Sequence, residues 1–328
     1  MSSNRTLRSA VVTLSAIFSI MLNPGQAQAE VQKEVLKLNG IKTTVPGLKW
    51  QDPSVMPKAI VLGLHGGVQH AGNFEELAEK LAPEGIVFYA VDFRGHGVWL
   101  KESDKRPAVN YDATARDLVP IVTELRAKNP LLPIFCVGES LGAAMAIKIS
   151  ARNPKLFDGL VLASAGAGPA TKYHVGATFK SIGSGIKTLG RTVDIMPHIG
   201  DMSDDERSNK QTLSDPLVRS KQSVKDLLVS VNFLRTSHNL APKLDKDLPV
   251  LVLQGEDDHI IQPESTRSLF KKLGSRKKSI ATFPKFGHLL VTNSYLKPEV
   301  IKTMSDWFTE QEKLSAPVAT TAKRPDGT

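Results

Sequence analysis

The sequence predicts an α/β fold, namely a mostly parallel, doubly wound sheet with a helical cap inserted before the penultimate strands. Two observations predict it. From residue 59 onward, short apolar runs alternate with segments of helical periodicity, as they do in a series of βαβ crossovers. The alternation stops between residues 165 and 247 and then resumes. An insertion of this size in a doubly wound sheet most simply covers the strand ends, where such sheets bind ligands.

The predicted strands are continuous apolar runs, which is typical of parallel strands buried on both faces. They cover residues 59–65, 86–91, 134–137, 159–163, 250–253 and 280–283. Residues 31–50 precede them and are predicted to form an antiparallel hairpin around Asn39-Gly40, a two-residue turn signal.

Helices are predicted between these strands from apolar residues at helical spacing. The first is expected to begin with Asn73 as N-cap and Glu76 three residues later, a capping box. Its buried face is predicted from the residues Phe74, Leu77, Ala78 and Leu81. Further helices are predicted over 113–128, 141–153, 263–273 and 298–313, with an amphipathic stretch over 224–234.

These elements divide the chain into five predicted segments. They are a signal peptide (1–29), a first part of the α/β core (30–164), a cap (165–247), a second part of the core (248–313) and a disordered tail (314–328). The tail is assigned because it lacks apolar periodicity.

The N-terminal segment has the organisation of a secretory signal peptide. Arg5 and Arg8 precede the apolar stretch 9–22, a small-x-small cleavage site follows at Ala27-Gln28-Ala29, and no acidic residue comes before Glu30. The alternative is an uncleaved anchor, but that stretch is shorter than the ~20 residues needed to span a bilayer. We therefore expect cleavage after Ala29 and a periplasmic or secreted protein.

Composition excludes several classes of protein. The chain has 328 residues, a formal net charge of +9 and one cysteine, Cys136, so an internal disulfide and a cysteine-based zinc or iron–sulfur site are excluded. The 42 lysines and arginines are spread along the chain, which argues against a nucleic-acid partner and is compatible with transient contact with an anionic membrane surface. No nucleotide-binding glycine motif is present, and no cofactor is expected. The sequence carries no signal for an oligomeric state.

The motif Gly138-Glu139-Ser140-Leu141-Gly142 lies between a predicted strand and a predicted helix. In G-x-S-x-G the glycines permit a strained strand-to-helix turn that exposes the serine hydroxyl above the sheet. Ser140 is therefore the candidate nucleophile. A serine hydroxyl also needs a base to take its proton and a carboxylate to orient that base.

In hydrolases of this chain order, the acid and the histidine both follow the serine. Only His259 and His288 come after the strand 250–253, and His259 adjoins the candidate acid. His288 is therefore predicted to be the base. For the acid we favour Asp258 over Asp257, because the chain must turn before a carboxylate can face the end of the sheet.

An oxyanion formed at this site also needs hydrogen-bond donors. We predict one at the backbone N–H of Leu141, directly after the nucleophile, and a second in His65-Gly66-Gly67, after the first long strand. An ordinary tight turn is the alternative for the second segment. The segment Asp92 to Gly97 is interpreted as a structural turn that braces the active-site loops, and no metal site is expected because the remaining histidines lack metal-ligand spacing.

In this order the motifs resemble those of α/β-hydrolases of the monoacylglycerol lipase and lysophospholipase type. The resemblance spans roughly residues 59 to 310. The blocks that carry it are His65-Gly66-Gly67 with His70, Phe74-Glu75-Glu76-Leu77-Ala78, Asp92 with Gly95-His96-Gly97, the G-x-S-x-G motif, Ser214-Asp215-Pro216-Leu217, Gly255 with Asp258, and Gly287-His288.

The resemblance implies a catalytic triad of Ser140, Asp258 and His288, with oxyanion donors at Gly67 and Leu141. It also implies hydrolysis of single-chain acyl esters such as monoacylglycerols or lysophospholipids. This chain departs from the family pattern at four positions near the site. They are Val68, where a glycine is common, Gln69, where a glutamate is common, Trp99, where a serine is common, and Ala143, where a glycine is common.

The function predicted is therefore an exported serine ester hydrolase that acts on a small acyl ester or lipid. Two alternatives remain open. The same triad can serve an acyltransferase, a lactonase or an aminopeptidase-like hydrolase, and a lipid-binding protein can keep the fold without turnover.

Overall fold

The computed structural model describes residues 30–101, 107–166, 191–194 and 202–315. Its main sheet has eight strands in the order β1-β2-β4-β3-β5-β6-β9-β10. The strands are β1 (Gln32–Asn39), β2 (Thr44–Gln51), β3 (Ala59–Leu64), β4 (Ile86–Val91), β5 (Ile134–Glu139), β6 (Gly159–Ala163), β9 (Val250–Gly255) and β10 (Lys278–Phe283), and β7 (Thr192–Asp194) and β8 (Lys221–Ser223) form a separate antiparallel pair.

Six of the eight main strands are parallel to one another. β1 pairs antiparallel with β2, and β2 antiparallel with β4, whereas all other neighbours from β4 to β10 pair in parallel. The mostly parallel sheet predicted from the apolar runs is confirmed. Because parallel strands end at the same edge, the loops that follow β3, β5, β6, β9 and β10 gather at one end of the molecule.

The helices cover both faces of this sheet. They are α1 (Glu75–Leu81), α2 (Tyr111–Lys128), α3 (Leu141–Arg152), α4 (Glu206–Ser214), α5 (Val224–His238), α6 (Pro263–Lys272) and α7 (Pro298–Ser315). One hydrophobic cluster packs α2, α3, α5 and α6 on one face, and a second packs α1 and α7 on the other. The side chains of β3 alternate between the two clusters, as the two-residue period of a strand requires.

The entry hairpin is present, but its turn differs from the prediction. Asn39 pairs with Thr44, so four residues connect the strands instead of two. The N–H of Gly40 donates to the carbonyl of Thr43 at 2.9 Å, and the N–H of Ile41 donates to the carboxylate of Asp117 at 2.9 Å. A contact with helix α2 therefore determines this turn, and the local Asn-Gly signal does not.

The predicted N-cap at Asn73 is wrong. Residues Ala71–Phe74 form a short 3-10 turn with His70 as its N-cap, and α1 begins only at Glu75. Asn73 instead accepts a hydrogen bond from the N–H of His70 at 2.9 Å, which closes a capping box on that turn. The buried face is as predicted, since Phe74, Leu77, Ala78 and Leu81 are all buried.

Parts of the predicted segments lie outside the described residues. These are the signal peptide (1–29), residues 102–106 of the first part of the core, residues 167–190 and 195–201 of the predicted cap, and most of the tail (316–328). Helix α7 continues to Ser315, two residues into the predicted tail. No helix of the described residues is long and apolar enough to cross a membrane.

Candidate active site

Ser140 occupies a strained turn between β5 and α3. Its φ of 55° and ψ of −112° place a non-glycine residue in a sparsely populated backbone region, at a cost of roughly 1–3 kcal/mol. The flanking positions must be glycine because a side chain there would have no room. A Cβ at Gly142 would overlap the carbonyl of Leu64, and one at Gly138 would collide with the backbone of Gly142. The G-x-S-x-G spacing therefore lets the turn lie directly against β3.

Two further predicted residues are in direct contact. Nδ1 of His288, on the loop after β10, lies 2.8 Å from Oδ2 of Asp258, on the loop after β9. Oδ1 of Asp258 accepts hydrogen bonds from the N–H groups of Ile260 and Ile261, at 2.8 and 2.9 Å. Both oxygens of the carboxylate are thus occupied, and the imidazole is held by one of them.

Burial and charge oppose each other in this pair. Burial by itself disfavours the charged form of each group, but each is the main favourable charge partner of the other. The net effect lowers the pKa of Asp258 and raises the pKa of His288. The imidazole therefore binds a proton readily while a carboxylate holds its other nitrogen. This is how a general base and its orienting acid are arranged.

The alternative residues of the acidic loop lie elsewhere. The side chain of Asp257 is 64% exposed, and that of His259, 3.9 Å from it, is 46% exposed. Glu256 forms an ion pair with Arg267 at 2.8 Å. The carboxylate that contacts His288 is that of Asp258.

The predicted oxyanion segment lies against the turn at Ser140. A Cβ at Gly67 would be 3.7 Å from Cδ1 of Leu141, so the two segments are neighbours. The carbonyl of Gly67 accepts hydrogen bonds from Nε2 of His96 at 3.0 Å and from the side-chain amide of Gln222 at 3.3 Å. Leu141 is the first residue of α3, and the N–H of a first helical residue has no partner within its helix.

The segment after β4 braces this region, as predicted from the sequence. The buried carboxylate of Asp92 accepts hydrogen bonds from the N–H of Ala71 at 2.8 Å and of Val98 at 2.7 Å. Gly97 has a φ of 55°, and a Cβ there would overlap the same carboxylate. Asp92 therefore joins the loop after β3 to the loop after β4.

Glu139 and Ser164 also contact the segment that carries His288, and neither was predicted from the sequence. Glu139 ends β5 and accepts hydrogen bonds from the N–H groups of Leu290 and Val291, at 2.6 and 3.0 Å, just beyond His288. Ser164 follows β6, and its hydroxyl donates to the carbonyl of His288 at 2.7 Å. The sequence does contain an indication for Glu139. A carboxylate at the end of a buried apolar strand needs hydrogen-bond partners inside the protein.

Two further features of the described residues concern a thiol and metal ligation. Cys136 is buried within β5, and burial raises the pKa of its thiol. In the part of the chain that the structure describes, no group of three or more His, Cys, Asp or Glu side chains is arranged to hold a metal ion.

Comparison with known proteins identifies the family. Residues 56–294 match the family model Hydrolase_4, described as serine aminopeptidase, S33. The chain belongs to this family. It is an α/β-hydrolase and a serine hydrolase, as the sequence motifs predicted.

Among characterised relatives of this hydrolase are the monoglyceride lipases. The chain is 28% identical over 262 residues to the monoglyceride lipase of Homo sapiens, and the match covers 75% of this chain and 82% of the human protein. It is 25% identical over 269 residues to the monoacylglycerol lipase of Mycolicibacterium smegmatis, covering 78% and 89% of the two chains.

Solved structures of other hydrolases have the same fold. A soluble variant of the Saccharomyces cerevisiae monoglyceride lipase, in complex with a substrate analogue, superposes with a TM-score of 0.73 at 17% identity, covering 90% of this chain and 99% of that one. The monoacylglycerol lipase of Paleococcus ferrophilus gives 0.64 at 22% identity, covering 86% and 99%.

The segment Ser214-Asp215-Pro216-Leu217 of this hydrolase contacts the loop that carries Gly67. Oδ2 of Asp215 lies 2.8 Å from Nε2 of His70, and the N–H of Arg219 donates to the carbonyl of Val68 at 2.8 Å. The segment between α4 and β8 therefore binds the loop after β3, in addition to the contacts that this loop makes near the sheet.

Two of the side chains that depart from the family pattern, Trp99 and Gln69, form hydrogen bonds. Nε1 of Trp99 donates to the carbonyl of Asp92 at 3.3 Å. The guanidinium of Arg94 lies 5.8 Å from the centre of the Trp99 ring. Ala143 is fully buried in α3. Gln69 is buried and bonded at both ends of its amide.

Proposed function

We propose that this hydrolase is an exported ester hydrolase that cleaves single-chain acyl esters, of the monoacylglycerol or lysophospholipid type. The observation that carries the proposal is the strained turn at Ser140 together with the buried pair of His288 and Asp258. The loops bearing these residues follow β5, β9 and β10, which are parallel strands of one sheet. All three side chains therefore belong to the same edge.

The reaction proposed begins with proton transfer from the hydroxyl of Ser140 to Nε2 of His288. The serine oxygen attacks the ester carbonyl, and the N–H groups of Gly67 and Leu141 stabilise the oxyanion of the tetrahedral intermediate. His288 then gives its proton to the leaving alcohol, and an acyl-enzyme remains on Ser140. Water, activated by His288, releases the fatty acid.

Asp258 has a distinct part in this sequence. Its carboxylate accepts from Nδ1–H of His288 and so leaves Nε2 free to receive the proton of Ser140. It also stabilises the imidazolium that forms during attack. The pKa of His288, raised by Asp258 in spite of burial, is consistent with this role.

The substrate class is supported by the relatives. The proteins of Homo sapiens and Mycolicibacterium smegmatis are named for monoglyceride or monoacylglycerol hydrolysis. The description of the matching family as serine aminopeptidase supports a second candidate, an aminopeptidase-like hydrolase that uses the same triad. No step of either reaction calls for a cofactor.

A fluorophosphonate probe tests the nucleophile. We expect the wild-type protein and the control Ser268→Ala, at an exposed position on α6, to be labelled at equal rates. The variant Ser140→Ala should not be labelled. Labelling of Ser140→Ala at the wild-type rate would contradict the assignment.

A substrate panel tests the reaction class. We expect release of fatty acid from 1-oleoylglycerol or lysophosphatidylcholine, with little turnover of an aminoacyl p-nitroanilide. Turnover of the anilide alone would replace the ester proposal with the aminopeptidase candidate. Added glycerol or another alcohol acceptor distinguishes an acyltransferase, because that enzyme forms a new ester in preference to free acid.

Export is proposed from residues 1–29 of the sequence. Mass spectrometry of the protein from a Gram-negative expression host tests it. We expect a mature chain beginning at Glu30 in the periplasm or the medium. A full-length chain confined to the cytosol would contradict export and leave the hydrolase chemistry unaffected.

A further inference from the structure

The loop that carries His288 is bound to the turn at Ser140 through one carboxylate. Oε1 of Glu139 accepts the N–H groups of Leu290 and Val291, and Oε2 accepts the N–H of Thr292 at 3.1 Å and also its hydroxyl. Glu139 is fully buried. Burial raises the pKa of its carboxyl group, while the hydrogen bond from Thr292 and the neighbouring charge of His288 oppose that rise.

The hydroxyl of Thr292 extends this contact to a third loop. It accepts a hydrogen bond from Nε2 of Gln69 at 2.7 Å, and Oε1 of Gln69 accepts the N–H of Gly66 at 3.0 Å. Gly66 directly precedes Gly67. A threonine hydroxyl has one donor and two acceptor positions, so it can donate to Glu139 and accept from Gln69 at the same time.

The chemistry explains why position 69 holds an amide. Its side chain must donate to Thr292 and accept from Gly66, which an amide does and an ionised carboxylate cannot. A carboxylate at 69 would also place a second negative charge beside Thr292 and Glu139, and like charges in a buried site are unfavourable. A neutral amide at position 69, where the family commonly has a glutamate, is therefore compatible with the buried carboxylate of Glu139.

We propose that Glu139, Thr292 and Gln69 form a positioning network that holds the His288 loop and the Gly67 loop in register with Ser140. The proposal rests on the proposed function, because it assigns the network to the catalysis of that site. None of the three is a catalytic residue, since they act through His288 and Gly67. Misplacement of a reacting group by about 1 Å can cost about 10²-fold in rate, so a network of this kind affects turnover.

A matched pair of variants tests the network. Thr292→Val keeps the shape of the side chain and removes the hydroxyl, whereas Thr292→Ser keeps the hydroxyl. We expect Thr292→Val to lower kcat by about 10²-fold with a small change in KM, and Thr292→Ser to restore most of the activity. Thr303→Val, the same substitution on the exposed face of α7, serves as the control.

The variant Glu139→Gln adds a readout that loss of stability would not produce. Asp258 and Glu139 are the carboxylates whose charge acts on His288. Removing one of them lowers the pKa of His288, so the acid limb of the kcat/KM profile should move to lower pH. An unmoved acid limb in folded Glu139→Gln would contradict the link to His288.

The rate of fluorophosphonate labelling separates failure of the network from failure of the proposed function. If the wild-type protein is neither labelled nor active on esters, the proposed function fails. If the wild-type protein is labelled and active, and folded Thr292→Val is labelled at the same rate with an unchanged kcat, the network is refuted while the hydrolase stands. Slower labelling of Thr292→Val with recovery in Thr292→Ser supports the network.

Discussion

Nδ1 of His288 lies 2.8 Å from Oδ2 of Asp258, although 30 residues separate them in the chain. The contact bridges the loops that follow two neighbouring parallel strands, β9 and β10. The side chains of the pair are 2% and 0% exposed. Solvent therefore screens their interaction little, and the carboxylate of Asp258 fixes the position of Nδ1 of the imidazole.

Replacement of the acid should abolish most turnover. We expect Asp258→Asn to lower kcat by about 10³- to 10⁴-fold, because an amide that donates to Nδ1 favours the wrong tautomer of the base. Asp257→Asn is the matched control, since Asp257 is largely exposed and lies next in the chain. Steady-state hydrolysis of a p-nitrophenyl ester measures both variants. Equal losses in the two would show that the acid is misassigned.

Activity should fall on the acid side at a pH above the ordinary pKa of histidine. In the proposed mechanism His288 is a base only when it is neutral, and its pKa is raised by Asp258 and Glu139 against the effect of burial. We therefore expect kcat/KM to decline as the pH is lowered through a value above about 6.5. A profile of kcat/KM between pH 5 and 9 measures this limb. An acid limb at or below pH 6 would contradict the direction of the shift.

The glycine at 142 should be intolerant of any side chain. In Gly142→Ala the new Cβ would overlap the carbonyl of Leu64, which is backbone and cannot move aside. We expect a loss of about 3 kcal/mol or more in the free energy of unfolding. Gly67→Ala is the comparison for stability, because a Cβ there meets only Cδ1 of Leu141, at 3.7 Å. Thermal unfolding should show a lower Tm for the first variant and a similar Tm for the second.

The buried ion pair of Arg219 and Asp226 should be important for stability. The guanidinium lies 2.8 Å from the carboxylate, and their side chains are 0% and 8% exposed. The same guanidinium also donates to the carbonyls of Gly95 and Pro107, so it joins the segment before β8, and α5 through Asp226, to the loop after β4.

We expect Asp226→Ala to reduce the free energy of unfolding by about 3–5 kcal/mol, because it removes the carboxylate that a buried guanidinium contacts. Urea denaturation measures the change. Asp247→Asn breaks an exposed pair with Arg276 and should cost less than about 1 kcal/mol. Equal effects of the two variants would mean that the buried pair contributes no more than a surface one.

Much of the fold follows from patterns within single segments. The apolar runs at 59–65 and 250–253 predicted β3 and β9, and helical spacing predicted the buried face of α1, since burial of one face imposes its period on the sequence. Local signals failed where a distant group competes for the same atoms. The turn after Asn39 is bonded to Asp117, which lies 78 residues further along the chain, and the carboxylate of Asp92 binds the N–H of Ala71 in the turn before α1.

By itself, the sequence determined the alternation of strands and helices in the main sheet, the elbow motif around Ser140, and the family to which the chain belongs. These depend on residues close together in the chain, where spacing and steric limits act directly. Only the tertiary structure decided that Asp258 contacts His288. It also decided that Glu139 binds Thr292 in the loop beyond His288, and that Thr292 in turn binds Gln69, which contacts the loop at Gly66. Those contacts join residues far apart in sequence, and a buried carboxylate takes as partners whichever donors the packed sheet brings to it.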